Sequence, residues 1–234
     1  MNKRFISAIL VFAMVLSMGS AFAAELPKVN DIAMVEAVVD MHDLKIMIGD
    51  ENGNFKGNVA LTRAEAATVI CRMLGLEDAA KDFAGTASFS DTQSHWAAGY
   101  IETVAKLDIL AGKDNAVFAP DEQMTFSQLT MALVKALGYE ELAKASTLSI
   151  ADYIAMGEKL GLLDKFELSA EAVMNAADEP ALRSYVAMLI SAALNVPLAE
   201  AKSYNAETGK TEYVILDGQN GTELKTLRKA VFNR

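Results

Sequence analysis

Two stretches of the chain, 63 residues apart, decide the fold: residues 61–76 read LTRAEAATVICRMLGL, and residues 124–139 read MTFSQLTMALVKALGY. The segments that precede them, Leu44–Met47 and Leu107–Leu110, keep the same spacing. A third and weaker copy comprises residues 159–163 and the segment Ala181–Leu194, which lies 57 residues after its counterpart. Two matched segments at one spacing indicate an internal repeat.

Each repeat predicts a helix, a loop and a second helix. In the second repeat, a helix over residues 95–107 would place on one face Ile101, Val104 and Ala105, with the membership of Leu107 left open. A loop follows over residues 112–120, and the next helix opens at Thr125 and ends near Gly138. Units of this size bury their apolar faces poorly alone, so we expect the repeats to share one core.

The repeats predict an all-α fold of three units, over residues 24–84, 85–146 and 147–197, with the third unit degenerate. A short tail over residues 198–234 differs in composition. Residues 204–216 predict a β-hairpin whose turn lies near Thr208 and Gly209. Thr222 is expected to cap a last short helix.

The composition excludes several classes of protein. The 234 residues are 52% hydrophobic, which is too apolar for a disordered chain, and the net charge of −10 argues against a general nucleic-acid binder. A single cysteine excludes an internal disulfide framework and any zinc site with several thiolates. Cys71 lies in a helical pattern and is expected to be a small buried residue, with a reactive thiol as the alternative.

The first 23 residues have the pattern of a secretory signal peptide. Lys3 and Arg4 precede an apolar run over residues 5–16, and small residues end in Ala21-Phe22-Ala23, so cleavage is expected after Ala23. The run is short for a membrane span, although an uncleaved anchor is the alternative. The mature chain would keep 19 basic and 31 acidic side chains, a net charge of −12, and would work outside the cell.

Short motifs recur in a fixed order along the repeats. The second repeat carries Phe89-Ser90-Asp91, His95-Trp96-Ala97, Phe118-Ala119-Pro120 and Thr125. The first carries Gly53-Asn54-Phe55 and Thr62-Arg63-Ala64-Glu65, and the third keeps the helix pattern and Arg183. In this order and spacing, over residues 30–197, the chain resembles the bacterial S-layer homology (SLH) domain, a tandem of three modules.

The resemblance implies a fold and a function. Three SLH modules form a pseudo-threefold helical domain with ligand grooves between neighbouring modules. Such domains anchor proteins non-covalently to the Gram-positive cell wall by binding secondary wall polysaccharides, often through a pyruvylated sugar. The arginine of the Thr-Arg-Ala-Glu motif contributes to anion recognition, so the resemblance points to Arg63.

The residues of this motif also have a structural interpretation. Thr62 and Glu65 form a capping box in which each side chain bonds a backbone N–H of the other residue, and Thr125 and Gln128 repeat it. Capping is favoured over ligand contact for Thr62 and Glu65. Arg63 instead opposes the positive end of the helix dipole, and an acidic ligand would reverse that cost. The alternative for Arg63 is a solvated side chain paired with a carboxylate.

The other two repeats depart from the motif. Phe126 stands where the arginine is expected, so the second repeat lacks its cation. In the third repeat, a helix that starts at Asp178, with Pro180 in its first turn, would place Arg183 deeper along the helix. The expectation is weak or single-site binding.

Three further features are candidate sites. Trp96 is expected either to stack on a sugar or, more commonly at this spacing, to lie in the core or at a module junction. Residues 50–54 resemble a calcium loop, but Phe55 and Leu61 occupy the glycine and glutamate places, so a tight turn is expected. His95 has no second ligand spaced for a metal and is expected to be a satisfied histidine.

No catalytic motif is present, and paired carboxylates occur by chance among 31 acidic residues. The sequence therefore predicts a non-catalytic cell-wall anchor with no cofactor or metal, whose ligand residues are Arg63, Thr62, Glu65, Trp96 and Arg183. Its expected partners are a wall polysaccharide and other envelope proteins, with no nucleic acid and no membrane span after cleavage. The alternative is a structural or protein-interaction role in which the degenerate modules bind no glycan.

Overall fold

The structure, a computed structural model, describes residues 31–143, 149–166, 176–206 and 210–233. Most of its regular secondary structure is helical. The helices are α1 Asp31–Asp43, α2 Arg63–Met73, α3 Glu77–Asp82, α4 Ala98–Lys106, α5 Phe126–Ala136, α6 Glu140–Ala143, α7 Ile150–Lys159, α8 Arg183–Ala193 and α9 Leu227–Phe232. One antiparallel hairpin joins β1 Ala199–Asn205 to β2 Lys210–Ile215. The predicted helical class with a small C-terminal hairpin is confirmed, while the predicted signal peptide lies outside the described residues.

The N-termini of α2, α5 and α8 meet in a closed ring of backbone hydrogen bonds. The N–H of Leu61 donates to the carbonyl of Ala181 at 2.9 Å, that of Ala181 to Met124 at 2.8 Å, and that of Met124 back to Leu61 at 2.8 Å. Each of these residues directly precedes the N-cap of its helix, and all three are fully buried. The ring joins three segments that are far apart in sequence.

A second layer of bonds uses the first N–H of each helix, which has no partner within the helix. The N–H of Arg63 donates to Glu122, that of Phe126 to Glu179, and that of Arg183 to Val59, at 2.8 to 2.9 Å. The next N–H groups repeat the pattern, since those of Ala64, Ser127 and Ser184 donate to Pro120, Ala177 and Gly57. Each buried helix start is therefore satisfied by a loop from another repeat.

The helices pack in the same cyclic order. Helix α2 packs against α4, α5 packs against α7, and α8 packs against α1. The second helix of each repeat thus meets the first helix of another, and the contact between α8 and α1 closes the circle. One continuous core runs through all of them, as expected for repeats that share a core.

The predicted helix ends are mostly confirmed. Both capping boxes form, at Thr62 with Glu65 and at Thr125 with Gln128. Gly138 follows α5 with a φ of 83°, which suits a glycine after a helix C-cap. The helix of the second repeat starts later than predicted, at Ala98, and the placement of Leu107 on its buried face is wrong. Leu107 is the C-cap and is 52% exposed, because the helix ends there before it completes the next turn.

The predicted helix start at Asp178 is also wrong. Helix α8 begins at Arg183, and Pro180 forms an isolated antiparallel bridge with Thr125. The carbonyls of Ala177 and Glu179 accept hydrogen bonds from the start of α5, which keeps this segment out of the helix. Arg183 is consequently the first residue of its helix, as Arg63 is in α2.

The C-terminal segment is packed onto the repeats. The two strands of the predicted hairpin are confirmed, although β1 begins at Ala199, five residues before the predicted start. The predicted turn near Thr208 and Gly209 lies outside the described residues. The N–H of Ala199 donates to Leu137 at 3.1 Å, and the hydroxyl of Tyr139 donates to the carbonyl of Pro197 at 2.8 Å. The expected cap at Thr222 is wrong, because Thr226 caps α9. The hydroxyl of Thr222 instead bonds within the preceding loop.

Helix α9 is held by one ion pair. The guanidinium of Arg228 donates from Nη1 and Nη2 to the two carboxylate oxygens of Asp40, at 3.0 and 2.5 Å. Its Nε donates to the side-chain oxygen of Asn195 at 2.9 Å. The tail is thereby attached to α1 and to the segment that follows α8.

Cys71 is a small buried residue, as predicted. Its Sγ lies 3.6 Å from the carbonyl oxygen of Tyr100, and burial raises the pKa of the thiol to about 12. A thiol that stays protonated at neutral pH is a poor nucleophile.

We predict that Gly138→Ala destabilises the protein more than Gly53→Ala. Both glycines have a positive φ, so each alanine costs about 1 kcal/mol in backbone strain. A Cβ on Gly138 would also lie 2.1 Å from the carbonyl oxygen of Ala199, whereas one on Gly53 meets no atom within 4 Å. We expect a loss of about 3 kcal/mol for Gly138→Ala by urea unfolding. Equal losses for the two variants would contradict the packing of β1 on the end of α5.

Candidate functional site

Arg63 lies in a closed seat formed by the loop of the second repeat. Its Nε donates to the carbonyl of Phe118 at 2.9 Å, and its Nη2 donates to that of Ala111 at 2.7 Å. The guanidinium carbon lies 4.6 Å from the centre of the Phe118 ring, within the range of a cation–π contact. The residue is only 4% exposed. The expectation of a solvated arginine paired with a carboxylate is therefore wrong.

Arg183 occupies the equivalent seat on the loop of the first repeat. Its Nε donates to the carbonyl of Phe55 at 2.9 Å, and its Nη2 donates to that of Ile48 at 3.2 Å. The guanidinium carbon lies 5.2 Å from the centre of the Phe55 ring. Its Nη1 lies 3.7 Å from Oε1 of Glu65, and the side chain keeps partial exposure. Arg183 is thus placed like Arg63 and not deeper along its helix.

Phe126 occupies the third equivalent position, at the first residue of α5. Its ring meets that of Phe166 edge-on, with centroids 5.6 Å apart and an interplanar angle of 83°. Phe166 in turn meets Tyr185 edge-on at 5.7 Å. A cluster of edge-on aromatic rings replaces the cation at this junction, so two of the three equivalent positions carry a positive charge.

The electrostatics of the Arg63 seat arise from burial and two nearby carboxylates. Burial lowers the pKa of Arg63, and the charges of Glu122 and Asp91 act in the opposite direction. The guanidinium remains charged at every physiological pH. The N–H groups of the first helical turn are already bonded to Glu122, Pro120 and the hydroxyl of Thr62. An anion here would therefore meet the charge of Arg63 but no free helix N–H.

Thr62 and Glu65 are occupied by capping. The hydroxyl oxygen of Thr62 accepts the N–H of Glu65 at 3.2 Å, and Oε2 of Glu65 accepts the N–H of Thr62 at 2.9 Å. The second carboxylate oxygen of Glu65 faces Arg183. Thr62, Glu65 and Arg183 therefore lie together at one junction, while Arg63 reaches into the next.

Trp96 projects into solvent. The side chain is 64% exposed, so the expectation of a core or junction residue is wrong. The preceding residue explains the placement, because Nδ1 of His95 accepts the N–H of Ala97 at 3.1 Å and its Nε2 lies 3.4 Å from Asp121. His95 turns inward as a satisfied histidine, as predicted, and Trp96 turns outward.

Asp91 has a structural role that its place in the Phe89-Ser90-Asp91 motif does not predict. Its carboxylate accepts the N–H of Phe118 at 3.0 Å and that of Ala119 at 2.7 Å. Ala119 has a φ of 60°, an uncommon conformation that these bonds help to hold. Asp91 thus holds the loop by accepting hydrogen bonds from the loop's N–H groups, and Arg63 holds it by donating to the loop's carbonyls. A lone aspartate 27 residues before its partner leaves no local pattern in a sequence.

The loop at residues 50–54 forms the predicted tight turn. The Asp50 carboxylate accepts the N–H groups of Asn52 and Asn54 at 3.0 and 2.9 Å, and Lys56 pairs with it at 3.0 Å. The bond from Asn54 and the pairing with Lys56 lower the pKa of Asp50 to about 2. Within the described parts of the chain, no group of three or more acidic, histidine or cysteine side chains could hold a metal ion.

Comparison with known proteins agrees with the resemblance seen in the sequence motifs. The family model of the S-layer homology domain matches residues 29–67 and 88–130, which include both Thr62-Arg63 and the His95-Trp96 motif. The chain is an SLH domain protein. Its relatives include a surface layer protein of Brevibacillus choshinensis, which is 28% identical in an alignment 220 residues long that covers 80% of this chain and 20% of the relative.

Two other relatives are a cell surface protein and an enzyme. A cell surface protein of Thermoanaerobacter kivui is 30% identical in an alignment 204 residues long that covers 85% of this chain and 25% of the relative. An endoglucanase of a Bacillus species is 31% identical over 104 residues, which are 44% of this chain and 10% of the relative. The SLH protein thus spans a quarter or less of each of these relatives. Family and relatives identify it as a secreted protein of the bacterial cell surface.

None of the helices described is both long enough and apolar enough to cross a membrane.

We predict that Asp91→Asn lowers stability at neutral pH but not in acid. Desolvation raises the pKa of Asp91, but the bonds from Phe118 and Ala119 and the charge of Arg63 outweigh it, so the pKa lies below its ordinary value. This contribution is complete above the unfolded-state pKa of about 3.9 and disappears as the pH falls through the lower folded-state pKa.

The expected difference in unfolding free energy is about 1 kcal/mol at pH 7, since the carboxylate is exposed and solvent screens it. It should narrow below about pH 4. The control is Asp82→Asn, at an exposed carboxylate with no side-chain hydrogen bond among the described residues. A difference that stays constant from pH 7 to pH 2.5, both values chosen to bracket about 3.9, would contradict the role of the charge.

Proposed function

We propose that this SLH protein is a non-catalytic anchor that binds an acidic, pyruvylated secondary cell-wall polysaccharide. The observation that carries the proposal is the pair of equivalently seated arginines, Arg63 and Arg183, at helix starts in an acidic chain. Because the mature chain would repel an anionic polymer as a whole, local cations must supply the attraction. A non-catalytic role agrees with the endoglucanase match, since the shared segment is only a tenth of that enzyme.

The three repeats act as three SLH modules, over residues 24–84, 85–146 and 147–197, in a pseudo-threefold arrangement. The ring of hydrogen bonds through Leu61, Met124 and Ala181 supports this arrangement, as does the cyclic packing of the helix pairs. The third module lacks the loop motif in sequence, yet its Arg183 is seated like Arg63. Two module junctions therefore carry a cation and one does not.

The site residues divide into two roles. Arg63 and Arg183 supply positive charge to the junctions, and Trp96 offers an exposed aromatic face on which a sugar ring can stack. Thr62 and Glu65 hold the start of α2 and place Arg63, rather than contact the ligand. Phe126 leaves its junction without anion binding.

The alternative is a structural or protein-interaction role in which the modules bind no glycan. The burial of Arg63 favours it, because two donor nitrogens of that guanidinium are already bonded to carbonyls. Only the anchor role requires the wall polymer for binding to cell walls.

Sedimentation with purified cell walls is expected to depend on the secondary polymer. We predict that the protein pellets with intact walls and stays in the supernatant after the polymer has been extracted. Binding that persists after extraction would indicate a protein or peptidoglycan partner, and an absence of binding to both preparations would leave the interaction role.

Exchanging arginine and phenylalanine at the first helical residue tests whether the cations contribute to wall binding. We predict that Arg63→Phe weakens wall binding about tenfold or more, the size expected for a lost charge-assisted bond to an anion. Phe mimics the natural residue at position 126, where it packs on Phe166. The reverse change, Phe126→Arg, is expected to strengthen binding, which no folding defect can imitate. Unchanged binding in both variants, with melting temperatures close to the parent, would overturn the assignment.

Replacing the exposed indole tests stacking. We predict that Trp96→Ala weakens wall binding about threefold to tenfold, whereas Trp96→Phe keeps most of it, because aromatic contacts contribute about 0.5–1.5 kcal/mol. The matched control is Tyr204→Ala on β1, an aromatic side chain that is 67% exposed and lies outside the matched segments. Equal effects at Trp96 and Tyr204 would exclude a specific stacking role.

A further inference from the structure

Glu102 is a buried carboxylate in the middle of α4. The residue is only 2% exposed, and both of its side-chain oxygens accept hydrogen bonds from the same residue. Oε2 accepts the N–H of Ser88 at 3.0 Å, and Oε1 accepts the hydroxyl of Ser88 at 2.5 Å. Nζ of Lys106, one turn later on the helix, lies 3.2 Å from Oε1. Burial of a carboxylate is costly unless its oxygens are bonded, and here Ser88 supplies most of those bonds.

The carboxylate of Glu102 is charged at neutral pH. Burial raises the pKa of Glu102, but the bonds from Ser88 and the charge of Lys106 outweigh it, and the pKa lies below its ordinary value. Hydrogen bonds to an ionised carboxylate are stronger than those between neutral groups. At the repeat spacing of 63 residues, the first repeat has Val39 at this position, so the carboxylate is not required of every repeat.

The residue after Ser88 packs into the loop of the second repeat. The ring of Phe89 lies 5.4 Å from the ring of Phe118, centroid to centroid, with the two planes inclined by 50°. It also lies so close to Gly112 that a Cβ there would be 2.5 Å from Cε1 of Phe89. Gly112 directly follows Ala111 in the chain. The ring therefore contacts the loop beside both of the residues whose carbonyls form the arginine seat.

The orientation of Arg63 depends on the positions of those two carbonyls. Its Nε donates to Phe118 at 2.9 Å, its Nη2 donates to Ala111 at 2.7 Å, and its guanidinium carbon lies 4.6 Å from the centre of the Phe118 ring. The guanidinium is planar and its donors point in fixed directions, so a shift of either carbonyl turns the whole group. Contacts thus run without a gap from Glu102 to Arg63.

We infer that Glu102 is a positioning residue for Arg63, acting through Ser88 and the ring of Phe89. The carboxylate fixes the backbone that carries Phe89, and the ring fixes the loop on which the guanidinium is seated. The inference deepens the proposed polysaccharide function and rests on it, because it takes Arg63 as one of the cations that bind the polymer.

The first test compares the two arginine seats within one molecule. Arg183 is seated on Ile48 and Phe55, which are not part of the contacts that lead from Glu102. Exchange of the Nε–H protons of both arginines with water is followed by heteronuclear NMR on the whole mature chain. We expect Glu102→Val to speed exchange at Arg63 about tenfold, as for a lost charge-assisted bond, and to leave Arg183 as in the parent. A general loss of stability would speed both.

Three further variants separate positioning from stability. Thr103→Val, on the same helix, removes a buried bond of 2.8 Å to the carbonyl of Gly99 but none to Ser88, so exchange at Arg63 should be unchanged. Glu102→Gln keeps an oxygen for the N–H of Ser88 and should retain most of the protection. Ser88→Ala removes only the hydroxyl bond at an exposed position, so it keeps the fold and should speed exchange at Arg63 about threefold.

Wall binding provides the second arm. Glu102→Val is expected to weaken sedimentation with cell walls about threefold in the parent, and to cause no further loss in Arg63→Phe, where the seat has already lost its cation. A parent that binds no walls would sink the polysaccharide proposal, while the exchange at Arg63 would still decide the positioning role.

Three results would overturn the inference. The first is equal acceleration at Arg63 and Arg183 in Glu102→Val. The second is unchanged exchange at Arg63 in both Glu102→Val and Ser88→Ala. The third is an equal loss of wall binding from Glu102→Val with and without the cation at position 63.

Discussion

At three helix starts, the first backbone N–H groups have no acceptor within their own helix, and this is the constraint on which the structure depends. A helix cannot bond its own first N–H groups, and a buried helix start needs acceptors from elsewhere. Here the acceptors are carbonyls in the loop of another repeat, such as Glu122 for Arg63 and Val59 for Arg183. Because every repeat both supplies and needs such a loop, the repeats are satisfied only as a set. The shared core and the closed circle of helices follow from that exchange.

The same exchange explains which features could be predicted from the sequence. Capping boxes, the end of α5 at Gly138 and the tight turn at Gly53 depend on residues within a few positions of one another, and all were predicted correctly. The start of α8 was not, because the carbonyls of Ala177 and Glu179 are recruited by α5, about fifty residues away in sequence. Local preferences at Pro180 allowed a helix, and a distant helix start prevented it.

The candidate site shows the same division. The resemblance points to Arg63 and Trp96 as site residues, but spacing alone could not give the burial of either side chain. Helical spacing favours an inward Trp96, whereas in the structure His95 is the inward residue, bonded to the N–H of Ala97, and the neighbouring indole is exposed. The equivalent seats of Arg63, Phe126 and Arg183 also required coordinates, because each is completed by an aromatic ring from another repeat. An arginine over a ring and a phenylalanine edge-on to a ring fill similar space, so the charge can be lost while the packing persists.

The closure of the circle between α1 and α8 has a consequence for export. A secreted chain crosses the membrane with its N-terminal end first, so α1 emerges about 150 residues before the helix that buries Val38 and Met41. Until α8 has followed, the apolar face of α1 has no native partner, and the ring through Leu61 and Ala181 stays open. Folding of the first repeat therefore waits for the last, and the emerging chain must be protected from aggregation throughout its translocation.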